Sequence, residues 1–122
     1  MDHSAGGPQL GLAELMEALA SSDPAVRARG IARARPSAGA EDVLIDALAD
    51  PDPDVRREAV RALARTEGRK ATGALIEVSA GDVSIAVRAE AVAALGRILL
   101  ARAPSAEPEE PASEEDDEDG AE

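Results

Sequence analysis

The feature that most constrains this chain is its likeness to itself. Displaced by 29 residues, ELMEALASSDPAVR (14–27) falls on VLIDALADPDPDVR (43–56). Leu15/Leu44, Ala18/Ala47, Leu19/Leu48, Asp23/Asp52, Pro24/Pro53, Val26/Val55 and Arg27/Arg56 coincide. Displaced by 32, VRREAVRALAR (55–65) falls on VRAEAVAALGR (87–97). A repeat of about 30 residues is one supersecondary unit too small to bury its own apolar face, so such units must stack on one another.

Each unit reads as two helices. The first carries apolar residues at three- and four-residue spacing: Leu12, Leu15, Met16 and Leu19, then Val43, Leu44, Ala47 and Leu48. Asp-Pro follows. The aspartate carboxylate accepts the free N–H groups of the next turn, and proline at the first helical position loses no bond and has a helical φ. Asp23-Pro24 and Asp52-Pro53 therefore open second helices, and Asp50-Pro51 ends the helix before. At 100° per residue, the second helix of unit two puts Val55, Ala59, Ala62 and Leu63 on one face with Val60 at its edge; unit three repeats this with Val87, Ala91, Ala94, Leu95 and Ile98. Arg56 and Arg88 fall inside the apolar arc. A half-buried guanidinium is costly without a carboxylate, so the expected partner is the capping aspartate of its own or a neighbouring unit.

The outer units depart from the pattern. GDVSIAVR (81–88) is one residue longer and lacks Asp-Pro, leaving Ser84 or Asp82 as the cap. In unit one, Gly30 stands where the others have Ala59 and Ala91, and Pro36 ends the second helix early. Arg33 replaces Ala62 and Ala94, which fits a solvent-facing end.

Leu44–Leu48, Asp52-Pro53, Val55-Arg56 and Ala59-Val60–Leu63 together resemble HEAT-type repeats, most closely the short variety of phycobilisome lyase-like proteins. The resemblance implies an all-α, right-handed α-α solenoid of about three helix pairs. It also implies a structural ladder of turn aspartates and helix arginines, carried here by Asp23, Arg27, Asp52, Arg56 and Arg88. Relatives of that kind attach or detach bilins. The chain has no Phe, Tyr or Trp, which argues against a tetrapyrrole pocket.

The same composition narrows function. A core without aromatic residues must come from Leu, Val, Ile and Ala, and it offers no stacking platform for single-stranded nucleic acid. There is no cysteine, and His3 is the lone histidine; no metal site, cofactor, activated-serine or phosphate-loop pattern is read. Glu41 and Asp42 are adjacent at a helix start, where the dipole favours acids without any acid/base role. No secretory signal or membrane span is recognised, and the expected location is cytoplasmic.

Charge is divided unevenly. Ten acids and no base follow Pro104, whereas the first 103 residues carry 15 acids against 13 bases. The organisation expected is a flexible arm over 1–8, a repeat domain over 9–103 with units at about 9–37, 38–67 and 68–103, and a disordered acidic tail over 104–122. On the face opposite the core, Arg57, Arg61 and Arg65 recur at i, i+4 and i+8, and Arg97 is the equivalent of Arg65 in unit three. They make a shallow basic strip among small residues, on the helices that line the concave side of such solenoids. The reading is a non-enzymatic adaptor that binds a protein partner there, the partner being acidic or phosphorylated. The alternatives are an accessory subunit of a lyase-like or other modifying enzyme, and a regulator whose acidic tail takes a basic or nucleic-acid-binding partner. Direct nucleic-acid binding is disfavoured by the short strip and the acidic balance.

Overall fold

The computed structural model describes residues 8–66 and 68–102. The expected arm, Pro8 apart, and the expected acidic tail lie outside the described residues. Six helices occur among them: α1 (Leu12–Leu19), α2 (Pro24–Ala32), α3 (Ala38–Ala47), α4 (Pro53–Thr66), α5 (Arg69–Gly81) and α6 (Ile85–Arg102). They pair as α1 with α2, α3 with α4 and α5 with α6, and the pairs stack in chain order. The molecule is thus an all-α solenoid. The second helices α2, α4 and α6 pack more closely on each other than do α1, α3 and α5.

Local chemistry sets the helix starts. Asp23 Oδ1 accepts from Ala25 N at 2.9 Å, Asp52 Oδ1 accepts from Asp54 N at 2.8 Å, and Pro24 and Pro53 are the first helical residues. Ser37 Oγ caps α3 through Ala40 N. Ser84 stands in the same place before α6, its Oγ accepting from Val87 N at 3.3 Å.

The core runs through all three pairs. Leu15, Leu44 and Leu75 hold equivalent places on the first helices and are buried. Ala59, Ala62, Ala91 and Ala94 are buried on the second helices, and their small side chains let the axes approach. Gly30 goes one step further: a Cβ there would lie 2.5 Å from Ala18 Cβ, so α2 crosses α1 too closely for alanine. Val60, expected at the edge of the apolar face, is fully buried because the third pair packs over it; Leu12 and Met16, expected on the core face, are exposed. Of the apolar run near the end of α6, Ile98 is buried while Leu99 and Leu100 stand in solvent.

At the other end the chain before α1 folds back onto α2. Leu10 N donates to Arg33 O at 2.7 Å and Arg35 N to Leu10 O at 2.9 Å, forming an isolated bridge between Leu10 and Ala34. Arg33 Nε donates to Pro8 O. The first pair is closed by its own chain. No helix among the described residues is long and apolar enough to cross a membrane.

Candidate functional site

Two sets of arginines were singled out by the repeat, and they end in different surroundings. The inner set forms a ladder between units. Arg27 Nε and Nη2 donate to the two Asp50 oxygens at 2.8 and 3.0 Å, and Arg56 Nε and Nη2 to those of Asp82 at 2.9 and 3.1 Å. Each arginine also turns Nη1 back to a carbonyl six residues upstream: Ser21 O, Asp50 O and Asp82 O for Arg27, Arg56 and Arg88.

The acceptors of the ladder are therefore Asp50 and Asp82, not the Asp23 and Asp52 expected from the repeat. The two turn positions divide the labour. Asp23, Asp52 and Ser84 lie four residues before each arginine and cap the helix. Ser21, Asp50 and Asp82 lie six residues before it and brace the turn by accepting from the N–H two residues on, at 3.0, 2.9 and 2.8 Å. A carboxylate already committed to the N-terminal N–H groups of its helix faces along that helix. The brace position faces the preceding unit, and there the fork of the preceding arginine meets it.

The electrostatics follow from this geometry. Burial opposes ionisation of Asp50, but bonds from Arg27 and from Asp52 N–H outweigh it and hold the carboxyl below its ordinary value. Asp82 is lowered in the same way, against its burial, by Arg56 and Ser84 N–H. Arg27 is raised, chiefly by its bonds to Asp50.

The outer set lies on the second-helix face. Arg61, Arg65 and Arg97 border a groove of about 390 Å³ between α4 and α6, floored by Ala64, Ile98 and Ala101. Arg57 is not part of it; that side chain sits near the start of α4, 3.9 Å from Asp54, with Nε buried and unbonded. The arginines of the groove also have acidic partners that the arginine spacing did not reveal. Glu58 and Glu90 receive Arg61 at 2.9 and 3.3 Å, and Glu90 lies 3.9 Å from Arg97. The Glu90 and Glu58 bonds raise the Arg61 guanidinium above its ordinary value. The signal for both was present, since Glu90 is Glu58 displaced by 32 residues. Arg65 makes one bond, of 3.4 Å, to Ala32 O.

Glu41 and Asp42 are tied into the stack. Glu41 accepts from Ala71 N at 2.8 Å and Asp42 from Lys70 at 3.0 Å, fastening α3 to the start of α5. Gly68 lies so close to the Glu41 carboxylate that a Cβ would collide with it.

No curated protein and no solved structure matches the chain. The family model for HEAT repeats matches residues 41–108, more than half of the sequence. With the stacked helix pairs, this establishes that the chain belongs to the HEAT-repeat family.

Proposed function

We propose that the protein is a non-enzymatic adaptor that holds an acidic or phosphorylated segment of a protein partner on its second-helix face. HEAT repeats are commonly protein-interaction scaffolds. The closer packing of α2, α4 and α6 supports reading their face as the inside of the curve. The observation that carries the proposal is the groove between α4 and α6, where Arg65 and Arg97 reach solvent beside an apolar floor. Guanidinium groups there suit carboxylate or phosphate oxygens, and the alanines leave room for a backbone. Glu58 and Glu90 hold Arg61 and reduce the positive charge, so the site favours a short anionic segment over a polyanion such as nucleic acid.

The test is a titration with a short peptide of phosphoserine and glutamate, followed by amide shifts in the whole chain and in one lacking residues 104–122. Shifts should gather around Arg61, Arg65 and Arg97 and vanish in the Arg65→Glu, Arg97→Glu variant. Tighter binding after truncation would mean that the acids after Pro104 compete for the groove, by the high local concentration of a tethered segment. If the truncated protein shows no shift along α4 and α6, the proposal fails.

A further inference from the structure

The three pairs present the same surface toward the C-terminal end of the stack, and two of the three are covered. Ile31, Val60 and Val92 are equivalent under displacements of 29 and 32 residues. Ile31 and Val60 are each 0 % exposed, beneath the pair that follows, whereas Val92 is 59 % exposed. Ile85 and Leu99, seven residues to either side on α6, are 74 % and 63 % exposed. Residues seven apart lie on one face of a helix, so the three form an apolar stripe; its centre, Val92, holds the position that the inner pairs bury, whereas Pro24 and Pro53, the counterparts of Ile85, are exposed within the stack.

The ladder tells the same story independently. The Nε and Nη2 groups of Arg27 and Arg56 hold an aspartate of the following unit. Arg88 makes only the backward bond to Asp82 O, and no carboxylate among the described residues is ion-paired with it. Arg88 lies within the stripe, between Ile85 and Val92. Among the described residues, the open end thus has neither the apolar cover nor the carboxylate that each following pair supplies inside the stack.

We infer that the C-terminal face of the third pair docks a helix pair contributed by another polypeptide, one that carries a carboxylate in its inter-helix turn to receive Arg88. Two other occupants fit less well. Residues 103–122 contain no Leu, Ile, Val or Met with which to cover the stripe. A second copy stacked head to tail would offer its first pair, where Ser21 holds the brace position and Arg33 replaces the buried Ala62 and Ala94. That end is also closed by the chain from Pro8 to Gly11.

The experiment uses the absence of cysteine. Val92→Cys is introduced into the full chain and its labelling by a small thiol reagent is timed. A second chain carries the same substitution but joins Ile98 to an added copy of residues 67–102, in the register by which the third pair follows Thr66, before the native 103–122. The added pair is the probe. We expect rapid labelling in the unextended chain, at least about tenfold slower labelling in the extended one, and partial recovery when Asp82→Asn is placed in the added copy alone. Equal rates in the two chains would overturn the inference, because the face would then not accept a helix pair. Self-association of the unextended chain from micromolar to millimolar concentration, abolished by Leu99→Glu, would also overturn it by making a second copy the occupant.

Discussion

The ladder can be broken at one rung. Arg56 spans two units: it gives two bonds to Asp82, at 2.9 and 3.1 Å, and two to the carbonyls of Asp50 and Pro51, at 2.9 and 3.3 Å. Its side chain is 11 % exposed and that of Asp82 7 %. Arg56→Ala strands the Asp82 carboxylate and the Asp50 carbonyl. Breaking a buried pair from one side costs about 3–5 kcal/mol. The Asp82 carboxylate keeps Ser84 N–H as a donor, and truncation opens the junction to water, so the loss belongs at the low end, about 3 kcal/mol. With a urea dependence of about 1.5 kcal/mol per molar for a domain of this size, the midpoint falls by about 2 M. Arg57→Ala is the control. That side chain is half exposed, 3.9 Å from its partner and has an unbonded Nε, so its loss should cost under about 0.5 kcal/mol. Urea unfolding of both variants, together with Asp82→Ala and the double variant Arg56→Ala, Asp82→Ala, completes the measurement. Equal midpoints for Arg56→Ala and Arg57→Ala, or a coupling between Arg56 and Asp82 near zero, would refute the assignment of inner and outer arginines.

Acid should act on the same rungs. Asp50 and Asp82 have lowered values in the folded state, so the unfolded chain binds more protons; their stabilisation is complete above the ordinary value of 3.8 and is lost as pH falls below it. The urea midpoint should hold from neutral pH to about 5 and then drop, less steeply in Arg56→Ala. Gly30→Ala should destabilise by about 1–3 kcal/mol through contact with Ala18, despite the better helix propensity of alanine, and Ala18→Gly should restore most of the loss in a thermal melt. Asp23→Ala should cost about 1 kcal/mol as a lost cap. Asp50→Ala should cost more, because it also removes the acceptor of Arg27; equal effects would count against separate capping and bracing positions.

The period of the sequence determined that this chain is a stack of helix pairs, because apolar spacing and Asp-Pro caps act within a few residues of themselves. The starts of α2 and α4 and the shared places of Leu15 and Leu44 were legible in that way. The ladder was legible only in part. That Arg56 needs a carboxylate follows from its place in the apolar arc. Which carboxylate depends on how far one unit is rotated and shifted against the next, and no local pattern encodes that. Stacking brought Asp82 to Arg56 and left Asp52 to its own helix. The groove was legible as a line of arginines and illegible as a charge balance, because Glu90 comes to Arg61 from a neighbouring helix. Tertiary structure alone also decided the fate of identical residues. Val60 and Val92 occupy the same place in the same pattern, yet one is sealed and the other bare. A repeat encodes the surface it offers, whereas what covers that surface is fixed by the position of the repeat in the stack.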